Sequence, residues 1–204
     1  RLAGRSPESV RLLSVSKTKP LADVLEAVAA GQRAFGENYV QEGVDKIIAT
    51  VDQALEWHFI GPLQSNKTRL VAEHFDWVHS IERLKTAERL SAQRPAHLPP
   101  LQVCVQVNVS GEASKSGCAP EETAALCQAI ASLPNLQLRG LMAIPEATED
   151  EANQRRPFRQ LREIFEKIRA DGLPLDTLSM GMTHDLQAAI AEGATIVRIG
   201  TAIF

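Results

Sequence analysis

No run of about 18 or more uncharged apolar residues occurs in the 204-residue sequence, which excludes a spanning helix of ordinary length and a membrane partner of that kind. Arg1 and Arg5 stand at the start without the apolar block of a secretory signal, so a cytoplasmic location is expected. Cysteine is scarce. Cys104, Cys118 and Cys127 form no Cys-x-x-Cys pair and none sits beside a histidine at ligand spacing, which argues against a structural zinc site. They read as small buried hydrophobes in a reducing compartment. Neither sign of charge dominates: 22 Lys+Arg against 25 Asp+Glu leave a net charge of -3. The long-range attraction that a phosphate-backbone binder uses is therefore missing, and no nucleic-acid partner is expected. Low-complexity stretches, a linker and a Gly-x-Gly-x-x-Gly after the first apolar run are also absent.

What the sequence does have is 44% hydrophobic and 23% charged residues, enough apolar surface to offset chain entropy in one core. Short β-branched runs alternate with longer helical periods, the pattern of a parallel sheet with helices outside it. The strand candidates are 10–16, 34–36, 57–61, 77–81, 102–109, 136–144, 177–180 and 195–199. Between them lie helical stripes such as Leu21, Val24, Leu25 and Val28, closed by Gly31. Further stripes are read from Leu63 to Ala72, over 83–93, from Pro120 onward, and at Leu161, Ile164, Phe165 and Ile168 after a polar loop.

Eight strands in 204 residues leave about 25 residues per unit, near the size of a trimmed (β/α)8 TIM barrel. A single-domain α/β barrel over 1–204 is the leading architecture; an open doubly wound sheet is the alternative. In the fifth strand Val103, Val105 and Val107 share one face and Cys104, Gln106 and Asn108 the other, so one set meets helices and the other lines an interior.

Lys17 ends the first strand in Val15-Ser16-Lys17-Thr18, on the face of Leu13 and Val15. If that face is inward, its amine enters the mouth where barrels build their sites, and a desolvated amine attacks carbonyls. A lysine there can equally snorkel to solvent. The last two strands lead into Ser179-Met180-Gly181-Met182-Thr183 and Arg198-Ile199-Gly200-Thr201, turns able to aim N–H and O–H groups at a phosphate. Thr183 can instead cap a helix, and the glycines can simply turn the chain. Arg198 faces the same side and needs a carboxylate, a phosphate or a ring nitrogen as acceptor. His58 can face the mouth or sit satisfied in the core, and Asn38 can bind a ligand or cap its helix. Lys115 reads as a loop lysine within reach of a phosphate or aldehyde, Lys19 as a loop residue, and Glu37 and Glu42 as solvated helix charges.

At these residues the chain resembles the pyridoxal 5′-phosphate homeostasis protein family, single-domain relatives of the alanine-racemase barrel. The likeness rests on Ser14-Val15-Ser16-Lys17-Thr18, Phe35-Gly36-Glu37-Asn38-Tyr39, Trp57-His58-Phe59-Ile60-Gly61, Gln64-Ser65-Asn66-Lys67, Ser179-Met180-Gly181-Met182 and Val197 to Phe204. It implies a fold-type III barrel that holds pyridoxal 5′-phosphate (PLP) as a Schiff base on Lys17. It also implies phosphate contacts around Ser179, Gly181, Thr183, Gly200 and Thr201, Arg198 at the pyridine nitrogen, and Asn38 and His58 nearby. Thr183 stands where the family usually has Ser, which keeps the hydroxyl, and the sequence lacks the family's first and last helices. The implied role is to carry or buffer PLP in vitamin B6 and amino-acid homeostasis, as a monomer in transient contact with PLP-dependent apo-enzymes. Robust catalysis is not expected: a racemase of the related barrel needs a second acid/base from another domain, and the only tyrosine here is Tyr39. An amino-acid racemase is the alternative, and a barrel that binds a phosphorylated metabolite without a Schiff base is a third reading.

Overall fold

The computed structural model describes residues 4–112 and 114–204. Its strands are β1 (Arg11–Val15), β2 (Ala34–Glu37), β3 (Glu56–Phe59), β4 (Trp77–Ile81), β5 (Leu101–Gln106), β6 (Leu136–Met142), β7 (Thr177–Ser179) and β8 (Ile196–Ile199). Each pairs in parallel with the next, and β8 pairs with β1 in the register Leu13↔Arg198, which closes an eight-stranded barrel. The open-sheet alternative is thereby excluded. Outside run α1 (Leu21–Ala29), α2 (Val40–Ala49), α3 (Thr68–His74), α4 (Leu84–Gln93), α5 (Thr123–Ala131), α6 (Glu151–Ala170) and α7 (Leu186–Ala191).

Strand alternation sorts the core into two shells. Leu13, Ala34, Ile60, Trp77, Cys104, Met142 and Ile196 fill the barrel interior, with Val15 packed against them. Phe35, Phe59, Val103, Val105, Leu141 and Val197 point outward and meet Val24, Val44, Val71, Leu90, Leu161 and Phe165 of the helices. All three cysteines are buried and unpaired. At the N-terminal end the barrel is stoppered. The Arg139 guanidinium lies 4.9 Å over the Trp77 ring, and its Nε and Nη2 donate to the two oxygens of Asp176 at 2.9 and 2.7 Å. No described helix is long and apolar enough to cross a membrane, and the described residues contain no cluster of metal-ligating side chains.

Two helices differ from the sequence reading. The segment from Leu63 stays irregular, with Gln64 extended and a single 3-10 turn at Ser65–Lys67, and α3 starts only at Thr68. Leu63 is used instead to line a cavity. Conversely, α6 begins ten residues before its apolar stripe, because Asp150 accepts the Asn153 amide at 2.8 Å and caps a polar first half. Pro157 lies inside it, and the arginines on either side, Arg155 and Arg159, converge on Glu192.

Candidate functional site

Leu13 and Val15 point into the barrel, so parity carries Lys17 to the C-terminal mouth. Its side chain is exposed there, which corrects the desolvated lysine considered from sequence. The turn that presents it is rigidly braced. Ser16 Oγ donates to Glu37 Oε1 at 2.6 Å, Lys46 Nζ donates to the Ser16 carbonyl at 2.7 Å, and the Thr18 amide donates to Glu42 Oε1 at 2.6 Å. Thr18 holds φ +62, an uncommon conformation for a β-branched residue. Lys46 also donates to both Glu37 and Glu42 at 2.7 Å, so its three N–H groups are all placed.

Glu37 and Glu42 are thus not solvated helix charges. Glu37 ends β2, is fully buried between the barrel and α2, and its carboxyl is pushed above the ordinary range by burial, against the hydrogen bonds of Lys46 and Ser16. Lys46 escaped the sequence reading, although its spacing from Glu42 and its place on the buried face of α2 beside Gly43 and Val44 signal it.

Deeper in the barrel a chain of side chains crosses the interior. Arg198 Nη1 donates to Ser179 Oγ at 2.8 Å, Ser179 Oγ lies 2.7 Å from His79 Nδ1, and His79 Nε2 lies 2.8 Å from His58 Nδ1. His58 Nε2 then meets Glu56 Oε1 at 2.6 Å, and Arg11 pairs with that same oxygen at 2.7 Å. Two sequence expectations change here. His58 does not face the mouth: it is fully buried, stacked on Trp77 at 5.1 Å, and joined to Glu56 at the barrel's other end. The Ser179 hydroxyl is likewise buried between His79 and Arg198 instead of standing in a phosphate cup. Burial depresses both histidines; Glu56 opposes this at His58, while the Arg198 charge adds to it at His79.

Arg198 itself is buried and lowered to about 10 by the loss of solvent. Its two hydrogen bonds reach neutral oxygens, Ser179 Oγ and, at 2.9 Å, the Ala143 carbonyl. Among the described residues it has no hydrogen-bonded carboxylate, and a guanidinium carries five N–H donors. Such a cation has donors to spare for an acceptor supplied by a ligand.

The turns after β7 and β8 lie beside one another, since the Arg198 amide donates to the Gly181 carbonyl at 2.9 Å. Gly181 has φ +100, and a Cβ there would lie 2.6 Å from the Ala189 Cβ, so only glycine fits this approach of turn and helix. Thr183 is exposed in the turn and does not cap α7; Asp185 holds the N-cap position and accepts the Met182 amide at 2.7 Å. After Gly200, whose place beside β1 puts a would-be Cβ 3.2 Å from the Val15 carbonyl, Ile203 and Phe204 amides bond back to the Gly200 carbonyl. Thr201 is exposed on this turn. Lys19 reaches the Phe204 carbonyl at 3.5 Å, a second link between the first turn and the last.

A cavity of about 530 Å³ opens on the adjoining side of the mouth, lined by Asn38, Ile60, Ser80, Gln106, Asn108, Lys115 and Glu146 among others. Asn38 Oδ1 is buried without a hydrogen-bond partner, an acceptor left for a ligand. Lys115 is an exposed loop residue that pairs with Glu146 at 3.0 Å. The structure therefore gathers Lys17, Arg198, Gly181, Thr183, Gly200, Thr201 and Asn38 at one end of the barrel, and leaves His58 and the Ser179 hydroxyl beneath them.

The family profile described as alanine racemase, N-terminal domain, matches residues 1–204. The chain is 65% identical over 202 residues to the pyridoxal phosphate homeostasis protein of Pseudomonas aeruginosa, covering 99% of this chain and 86% of that one. Over 204 residues it is 58% identical to the protein of the same name from Escherichia coli, with 98% and 87% covered. Among solved structures, PipY of Synechococcus elongatus with PLP bound superposes with a TM-score of 0.91 at 40% identity, over 100% of this chain and 96% of that one. Alanine racemase of Corynebacterium glutamicum shares the fold, with a TM-score of 0.73 at 17% identity over 100% of this chain and 56% of its own.

Proposed function

The chain belongs to the alanine racemase N-terminal domain family, and we propose that within it this barrel binds pyridoxal 5′-phosphate and carries or buffers it, without robust catalysis. The observation that carries this reading is the buried Arg198, a cation with uncommitted donors, no hydrogen-bonded carboxylate among the described residues, and Lys17 in the mouth above it. A pyridine nitrogen is an acceptor that such a guanidinium satisfies without surrendering a proton. The names of the relatives, and the PLP in the PipY structure, support the same ligand.

When bound, the cofactor supplies an aldehyde carbon with which an amine condenses, releasing one water. The Lys17 side chain, held out by the braced turn, would supply that amine and so hold the cofactor covalently. Backbone N–H groups at Gly181 and Gly200 and the hydroxyls of Thr183 and Thr201 would hold the phosphate, with Asn38 at the rim. An arginine at the ring nitrogen keeps that nitrogen unprotonated and weakens the ring as an electron sink, which suits storage better than turnover. Tyr39, the one tyrosine, is 56% exposed at the start of α2, a poor position for an opposing acid/base. The protein acts in the cytoplasm, as a monomer, in transient contact with PLP-dependent apo-enzymes.

The test is optical. Wild-type protein incubated with PLP and freed of excess reagent is expected to keep a visible absorption band that Lys17→Ala abolishes. A colourless wild type would overturn the proposal. Turnover of alanine or another amino acid between its enantiomers at about 1 per second or faster would instead establish the racemase.

A further inference from the structure

The hydrogens of the buried chain can be placed from its two ends. Arg198 has only donors, so Ser179 Oγ accepts from it; Glu56 is an acceptor-only carboxylate, pinned as such by Arg11. Between these ends each contact needs one hydrogen, and a neutral imidazole has one to give. Ser179 O–H therefore donates to His79 Nδ1, His79 Nε2–H to His58 Nδ1, and His58 Nε2–H to Glu56 Oε1. Every bond points away from the mouth. If Glu56 were a donor, the order would reverse: both histidines would carry the hydrogen on Nδ1, and Ser179, accepting from His79 as well as Arg198, would turn its own hydrogen toward whatever lies beside it.

We propose that Glu56, His58 and His79 are positioning residues for the ligand of Arg198: a carboxylate at the far end of the barrel orders the chain so that Ser179 serves Arg198 purely as an acceptor and offers the ligand no hydrogen. This keeps Arg198 as the sole donor of the pair at the ring nitrogen. The proposal rests on the reading that PLP binds at Arg198. The depressed affinity of both histidines for a second proton agrees with neutral rings.

Two measurements decide it. In unloaded wild type labelled with 15N in its histidine rings, NMR at neutral pH is expected to show His58 and His79 neutral and protonated on Nε2. A proton on Nδ1, or an imidazolium, at either ring would overturn the proposal whether or not PLP binds. In Glu56→Leu, which offers His58 Nε2 no acceptor, His58 and His79 are expected to populate Nδ1–H. The PLP-loaded variant should then show a displaced visible band and about fivefold weaker PLP binding, the worth of one net hydrogen bond. Unchanged band, affinity and tautomers in Glu56→Leu would refute the relay while leaving PLP binding itself intact. A wild type that takes up no PLP would fail the functional reading instead, and the link from the chain to a ring nitrogen with it.

Discussion

Replacing Lys46 by Met removes the centre of the brace behind the Lys17 turn while keeping the length of the side chain. In the wild type the amine is 7% exposed and its partner Glu37 is 0% exposed, with 2.7 Å between them. Taking away one member of a buried pair costs about 3–5 kcal/mol, because the other charge is left without compensation. That is a large share of the roughly 5–15 kcal/mol by which a domain is stable. For a chain of this size it corresponds to a fall in Tm of about 6–20 °C. Glu37→Gln should cost much less, about 1 kcal/mol, since an amide oxygen can still accept from Ser16 and Lys46, and Lys46 keeps Glu42.

The sign of the pH dependence follows from Glu37. Its carboxyl is already raised by burial, and loss of Lys46 raises it further, so the folded variant holds a proton that the unfolded chain releases. Stability lost through Lys46→Met should therefore be partly regained as pH is lowered from 8 toward 5, and deepen as pH rises. Urea and thermal unfolding of the unloaded protein, followed by far-UV circular dichroism, measure all three proteins. A Lys46→Met protein within about 1 kcal/mol of wild type, or a Glu37→Gln protein as unstable as Lys46→Met, would refute the reasoning.

Gly140 on β6 is packed so tightly on β7 that an added Cβ would lie 1.8 Å from the Thr177 carbonyl oxygen. Gly140→Ala should therefore separate the two strands and cost about 3 kcal/mol or more in urea unfolding, whereas Gly172→Ala, with open space around a positive φ, should cost about 1 kcal/mol. Glu192 is 1% exposed among Arg155, Arg159 and Arg162 at 2.7, 3.2 and 3.3 Å. Burial works against its ionisation, but those arginines hold its carboxyl below the ordinary range, so its contribution is present above about pH 4.3 and lost as pH falls through the lowered value. Glu192→Gln should cost about 1.5–3 kcal/mol at pH 7 and flatten the wild-type gain in stability between about pH 3 and 5; equal slopes in the two proteins would contradict this.

The barrel was legible because its signal is local. The valines of β5 alternate with Cys104 and Gln106 on a period of two, and the same parity carries Arg198 to the interior face and Lys17 to its mouth. What could not be read depends on partners far apart in the chain. His79 was given no part, since its role comes from Ser179, 100 residues away, and from His58 on the neighbouring strand. His58 stays open between mouth and core in the sequence for the same reason: parity places it inside the barrel, but height within the barrel depends on Trp77 and Glu56 beneath it. Glu37 reads as one more acid near a helix start because the partner that buries it lies nine residues on, on the inner face of α2.

The Trp77, Arg139 and Asp176 stopper gives the barrel the topology of a flask. Its wall is continuous, its interior is filled by side chains, and the Trp77 ring with the Arg139–Asp176 pair covers the base, so a ligand of Arg198 and Lys17 is approached from the neck. In the proposed carrier role, loading and unloading would share that one doorway. Under the proposed carrier role, whatever takes the ligand away meets it at the same mouth by which it entered, where Lys17 and the turns after β7 and β8 stand.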